Sequence, residues 1–372
     1  MRAPHRRLRP ARLWWAACAL AVLAAASVAD AWAAVPRWPT SHRPLLAVDF
    51  VDRGTGWAVG ASGVIVRTTT GGALWTRQRS LATAAPALRD VCFVDRLRGW
   101  AVGDGGIILR TADGGVHWRQ QASGTKLPLR SVAFADARRA WVVGGSSGTA
   151  ADGSPLLAYA LLGTSDTGTH WKLLAHGQGR FLAAVEASGD GTLWVAGCDL
   201  RGAGAQARRQ AFVQASADGG STWAPPLSLA ALGLDRYERS AAADIEAPDA
   251  AALVVAGSVW NGTGWSGFVV RSANAGAAWS PPAVSHRFAA FLRCGFAGPS
   301  NGWMVGSGGG SAVLRTVDGG ATWSRQRLPT GTVASAVAAA GPSVAYVAGD
   351  GRDHRGLVAR TLNAGVSWLR VR

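Results

Sequence analysis

The stretch Arg110–Trp118, RTADGGVHW, returns six more times along the chain. Near-copies stand at Arg67–Trp75 (RTTTGGALW), Gly163–Trp171 (GTSDTGTHW), Ala215–Trp223 (ASADGGSTW), Arg271–Trp279 (RSANAGAAW), Arg315–Trp323 (RTVDGGATW) and Arg360–Trp368 (RTLNAGVSW). Such a box is either a repeated binding site or a repeated folding device. Function depends on which.

Each box is preceded by a second recurring element: GWAVG at Gly56 and Gly99, AWVVG at Ala140, LWVAG at Leu193, LVVAG at Leu253, GWMVG at Gly302 and AYVAG at Ala345. Before that comes an alternating segment such as LLAVDFVD (Leu45–Asp52) or LRDVCFVD (Leu88–Asp95). A short apolar run precedes the box and a polar run follows it, so each unit reads as four short strands. Box tryptophans are spaced 43 to 56 residues apart, and a four-strand unit of about 45 residues is the mark of a β-propeller blade. The expected fold is all-β: one seven-bladed propeller of four-stranded antiparallel blades over 34–372. Its blades fall near 41–80, 84–124, 126–176, 180–226, 238–282, 287–327 and 331–372. The last unit is complete in itself, which leaves open how the ring closes.

Read as turn chemistry, [ST]-x-D-[GT]-G-x-x-W joins the third strand to the fourth. The carboxylate accepts backbone amides two residues on, glycine supplies positive φ, and the tryptophan covers the hairpin. Asp113, Asp166, Asp218 and Asp318 hold the acidic position, but Asn274, Asn363 and Thr70 replace it in the other units. Neither amide nor hydroxyl could substitute for a ligating or catalytic carboxylate. The boxes, with Trp75, Trp118, Trp171, Trp223, Trp279, Trp323 and Trp368, therefore read as structural.

Residues 1–33 have the outline of a secretory signal: five arginines, then the uncharged run 13–29, then Ala31-Trp32-Ala33 as a cleavage site. An uncleaved anchor over 13–29 is the alternative, and either way the expected location is periplasmic, extracellular or lumenal. Removing this segment lowers the formal charge from +16 to +12. The arginines are scattered, nowhere more than two together, so a nucleic-acid partner is not expected and an acidic protein or anionic surface is. Cys92, Cys198 and Cys294 would remain, an odd number without metal-ligand spacing. Neither a cofactor nor a metal site is indicated.

The S/T-x-D-x-G-x-T-W box is similar to that of sialidase-like Asp-box propellers. The fuller unit, GWAVG followed by I-x-R-T-x-D-G-G-x-x-W, resembles the photosystem II stability and assembly factor family of seven-bladed propellers. That resemblance implies a non-enzymatic lumenal or periplasmic scaffold, monomeric, that binds a membrane-protein assembly intermediate. It also implies an arginine-rich surface patch, and Arg67, Arg110, Arg271, Arg315 and Arg360 hold the position before the box. In symmetric blades these would form a ring suited to an acidic segment, broken at Gly163 and Ala215. The alternative is that each guanidinium packs over its own blade's aromatic residue.

A carbohydrate-active or carbohydrate-binding Asp-box propeller is the competing function. The arginine triad and the tyrosine with glutamate partner of a sialidase are not in evidence. Tyr237-Glu238 is the nearest arrangement, and it reads as an interblade loop. GGSSG at Gly144 and GPSNG at Gly298 satisfy G-x-S-x-G without leading from strand to helix. Converging carboxylates in the central channel would favour the carbohydrate reading; small apolar residues there would favour the scaffold.

From the GWAVG position to the box tryptophan is 18 residues in the first two units but 30, 29 and 25 in the next three. The extra length, at Ser146–Ala160, Asp199–Gln210 and Ser258–Gly267, lies between second and third strands and should project opposite the boxes. Arg201, Arg208, Arg209, Trp260 and Trp265 in these insertions look exposed and are candidate partner contacts.

Overall fold

The computed structural model describes residues 44–78, 85–308, 311–351 and 356–371, all within one compact unit, 38–372. The expected signal segment lies outside the described residues. Seven four-stranded antiparallel sheets form, each from four consecutive strands in chain order. The first sheet comprises Leu45–Phe50, Gly56–Gly60, Ile65–Thr68 and Thr76–Arg77; the last comprises Val333–Gly341, Val344–Asp350, Gly356–Thr361 and Leu369–Arg370. Strands are short because the turns come so often. First strands of successive blades pack side by side around a central channel, and that of blade 7 packs on that of blade 1. This is a seven-bladed β-propeller.

Every first strand carries a β-bulge at the same place, for example at Arg89, between Leu88 and Asp90. The bulge bends the strand and re-aims the residues after it. It also explains the last glycine of the GWAVG element. At Gly60, a Cβ would lie 2.0 Å from the Pro44 carbonyl oxygen, and at Gly103, 2.1 Å from that of Ala87. Only glycine admits that approach.

The element's first residue answers a different constraint. A Cβ at Gly56 would stand 2.6 Å from the Phe50 ring, its cross-strand partner. Where the partner is Ala187, the position opposite is Leu193. Volume is conserved across the pair.

The ring closes without strand exchange. Phe50 of blade 1 stacks on Tyr346 of blade 7, with centroids 3.6 Å apart and planes 8° from parallel. Tyr346 Oη donates to the Arg53 carbonyl at 3.0 Å, and Arg360 Nη1 donates to that of Gly71.

Candidate functional site

The boxes lie between third and fourth strands, and their polar groups serve the turn. Asp113 Oδ1 accepts the His117 amide at 2.9 Å, while the Thr111 hydroxyl accepts the Gly115 amide at 2.8 Å. The amide bound by the carboxylate is thus four residues on, a correction to the expected two. The shorter reach belongs to the loop between first and second strands, where Asp52 Oδ1 accepts Gly54 N at 2.7 Å. Replacements do the same work. Asn274 Oδ1 accepts Ala278 N at 2.7 Å, Asn363 Oδ1 accepts Ser367 N at 3.0 Å, and Thr70 Oγ1 accepts Leu74 N at 2.8 Å. The Thr222 hydroxyl and amide hold the Asp218 carboxyl down at about 2, and Asp166, bonded to His170, behaves alike. Asp318 accepts from Thr322 in the same way.

The box tryptophans are less deeply placed than the sequence implied. Only Trp368 is buried; Trp75, Trp118, Trp171, Trp223, Trp279 and Trp323 are half-buried. They lie at the outer edge of the blade, each next to an exposed residue such as Leu74, His117 or Thr222. The aromatic core belongs instead to the second strand, where Trp57, Trp100 and Trp303 are 0 to 1% exposed.

The arginines before the boxes pack onto those second-strand residues. Each is half-buried. Arg67 Cζ lies 5.4 Å from the Trp57 ring centre, Arg110 equally far from Trp100, and Arg315 5.6 Å from Trp303. Arg315 Nη2 also donates to the Pro342 carbonyl of the next blade at 3.3 Å, as Arg360 does to Gly71. Arg271, opposite Val254, has no aromatic partner across the strand pair. The guanidiniums of Arg67, Arg110 and Arg315 therefore cap aromatic rings, and those of Arg315 and Arg360 bridge blades.

The insertions are extended hairpins rather than irregular loops. Strands Ala140–Thr149 and Pro155–Thr164 pair to their ends, as do Leu193–Arg201 with Arg208–Ser216 and Leu253–Trp260 with Trp265–Ser272. Arg201 and Arg208 are exposed partners at one hairpin end. Trp260 and Trp265 face each other at the next, half-buried, with ring centroids 5.3 Å apart. Arg209 is a correction: it is 3% exposed, because strand alternation turns it inward between exposed Arg208 and half-buried Gln210. Tyr237-Glu238 lies under the blade 5 hairpin, with Glu238 N donating to the Trp260 carbonyl at 2.9 Å. The Tyr237 ring packs against the apolar core between blades 4 and 5.

The central channel is a cavity of about 450 Å³, lined by carboxylates from five blades: Asp49, Asp90, Asp136, Glu186, Asp244 and Glu246. No sequence motif announces them, since blades contribute different residues at two first-strand positions, Asp49, Glu186 and Glu246 at one and Asp90, Asp244 and Arg293 at the other. Asp49 accepts Phe93 N at 2.7 Å, Asp90 accepts Val132 N at 3.0 Å and Asp244 accepts Cys294 N at 2.7 Å. Each ties its blade to the following one. Arg293 donates to Asp244 Oδ1 at 3.2 Å and stands 3.8 Å from Asp90. Burial costs its charge something, but Asp90 and Asp244 outweigh this and raise its pKa. Burial raises Asp49 to about 7 and, with Asp244 adding to it, Glu186 to about 8; Glu246 is raised as well. By the sequence criterion, these carboxylates lean toward the carbohydrate reading. Asp49, Asp90 and Asp244 are occupied in holding the ring, and Asp136 pairs with Arg139. Cys294 is buried beside Asp244, and Cys92 and Cys198 are also free thiols. No three metal-ligating side chains come together among the described residues, and no described helix is long and apolar enough to cross a membrane.

Residues 24–132 match the family described as Photosynthesis system II assembly factor YCF48. A solved structure of YCF48 bound to D1 peptide superposes with a TM-score of 0.58 at 21% identity, over 86% of this chain and 93% of that one. YCF48 from Cyanidioschyzon merolae also gives 0.58, at 19% identity over 87% and 96%. A GH74 enzyme from Niastella koreensis superposes at only 0.35, with 13% identity over 88% of this chain and 65% of its own, too remote to bear on activity. No curated protein matches the sequence. The chain resembles the photosystem II assembly factor family in sequence over its first two blades and in fold over its described length.

Proposed function

We propose that the protein is an exported, non-catalytic propeller scaffold that holds a protein partner during assembly of a membrane complex. The observation that carries this reading is the match of residues 24–132 to the photosystem II assembly factor family. The relative solved with a D1 peptide gives the reading its form, a propeller holding a segment of a protein under assembly. The partner surface assigned here is the end of the extended hairpins in blades 4 and 5. Arg201 and Arg208 offer cations to an acidic segment there, and the Trp260–Trp265 pair offers apolar area. The test is capture from the membranes of the source organism by the exported form. A membrane protein with an acidic segment should be retained by wild type and lost at least tenfold by Arg201→Glu/Arg208→Glu with Trp260→Ala. Retention undiminished in that variant would overturn the assignment.

A second, carbohydrate-active reading is favoured by one observation, the convergence of Glu186 and Glu246 on the channel with raised pKa values. A protonated carboxyl beside a second one is what glycoside hydrolysis requires. Turnover of aryl glycosides, abolished by Glu186→Gln, would establish it; absence of turnover from pH 4 to 8 would dismiss it.

A further inference from the structure

Two blades lack the arginine that caps the second-strand tryptophan, and they differ in what stands in its place. In blade 3, Gly163 stands opposite Trp141. A Cβ on Gly163 would meet Leu174 Cδ1 at 2.7 Å and Trp141 at 3.1 Å, so the leucine has moved in over the ring. The space beside it, about 410 Å³, carries its own cations, Lys172 and Arg139, facing Asp166, Asp190 and Asp218. Blade 4 has no such substitute. Ala215 stands opposite Trp194, and a pocket of about 490 Å³ opens over that ring toward blade 5. Asp190 is the one charged residue among the described residues lining it. Trp194 is 4% exposed, as is Trp141 of blade 3, against 0% for Trp303, which is capped.

Blade 6 shows what fills this geometry. Arg315 lies over Trp303 with Nη2 between Asn301 Oδ1 and the Pro342 carbonyl, 3.3 Å from each. Aligned on the repeat, Asn301 corresponds to Thr192 and Pro342 to Ala250, and both counterparts line the blade 4 pocket. Ala275 of the neighbouring box lines the pocket, and it and its blade 7 counterpart Ala364 both have positive φ, 54° and 57°. The wall that accommodates a guanidinium in blade 6 is thus reproduced in blade 4. Only the arginine is missing. Asp190 adds a carboxylate that blade 6 lacks at the corresponding Pro299.

We propose that the pocket over Trp194 is a socket for an arginine side chain presented by another protein, seated where blade 6 seats its own Arg315. The guanidinium stacks on the indole and is held at its edge by Asp190, Thr192 and the blade 5 loop carbonyl. The socket lies on the box face, opposite the extended hairpins, so it stands or falls separately from the partner surface assigned there.

A capped Gly-Arg-Gly peptide and its citrulline counterpart, equal in shape but neutral, are titrated into the protein while the indole N–H signals are followed by NMR. The arginine peptide should bind at least tenfold tighter and shift the Trp194 signal. Ala215→Arg should fill the socket from within, weaken the peptide at least tenfold and raise the unfolding midpoint. Equal binding of both peptides, or full binding to Ala215→Arg, overturns the proposal. Should Ala215→Arg fail to fold, Asp190→Asn, on an exposed turn, decides: a severalfold loss supports the socket and unchanged binding overturns it.

Discussion

Phe50 lies face to face with Tyr346 at 3.6 Å, the same arrangement that joins Phe93 to Trp57 at 3.5 Å between blades 2 and 1. The two ends of the chain are therefore joined by the device used inside it, one first-strand phenylalanine against the preceding blade's second-strand aromatic. Tyr346 adds a hydrogen bond to the Arg53 carbonyl. Tyr346→Phe keeps the stack and should cost about 1 kcal/mol, whereas Tyr346→Ala should cost about 3–5 kcal/mol. Denaturant unfolding of both variants separates the terms, and equal losses would contradict the stack as the main fastening.

The two tryptophans of a unit should differ in the same measurement. Trp57 is fully buried and donates from Nε1 to the Gly114 carbonyl of blade 2 at 3.0 Å. Trp118 is half-buried, with an edge contact to Phe93 at 5.8 Å. Trp57→Ala should cost about 3–5 kcal/mol and Trp118→Ala about 1–3 kcal/mol. The reverse order would mean that the box tryptophan, and not the second-strand one, anchors the blade.

The propeller was legible because its determinants repeat: Gly-Trp-Ala-Val-Gly and the box each answer a local steric need that recurs in every blade. The closure was not, since the Phe50–Tyr346 stack couples residues from opposite ends of the chain and looks like one more copy of an internal contact. The channel was invisible for the opposite reason. Asp49, Asp90, Glu186, Asp244, Glu246 and Arg293 occur singly, and only the common bulge and the ring bring them together. The arginines before the boxes were visible as a pattern, but whether they faced a partner or Trp57, Trp100 and Trp303 required knowing which residue lies opposite. Arg209 looked exposed because an insertion reads as a loop until its strands are seen to pair.

The box aspartate has a sharp chemical test. Asp113 Oδ1 is used as an acceptor by the His117 amide and the Thr111 hydroxyl, and Asn274 and Asn363 fill this role with an amide oxygen. Asp113→Asn should therefore change stability by less than about 0.5 kcal/mol, while Asp113→Ala leaves the turn without its acceptor and should cost about 1–2 kcal/mol. Equal losses would show that the charge, absent from three of the boxes, matters after all.

Stability should fall as pH rises through neutrality. Burial raises Asp49 from 3.8 to about 7 and Glu186 from 4.5 to about 8. For a carboxyl whose folded pKa exceeds its unfolded one, the folded state keeps a proton that the unfolded state releases. Its contribution is whole below the unfolded pKa and is lost as pH climbs through the folded value. The window here is pH 4 to 8, and with both carboxyls reaching channel water the loss should be about 1–3 kcal/mol in all. The box aspartates act in the opposite sense, because Asp113, raised by desolvation but drawn down further by its hydrogen bonds from His117 and Thr111, is held at about 2. What such groups contribute is present above about pH 4 and lost below it. Melting temperatures taken from pH 3 to 8 should therefore peak on the acidic side, near pH 4 to 5. Asp49→Asn and Glu186→Gln should each flatten the descent toward pH 8. A wild-type profile that rises from pH 5 to 8, or variants that keep the full slope, would mean that the channel carboxyls are ionised and solvated in the folded protein.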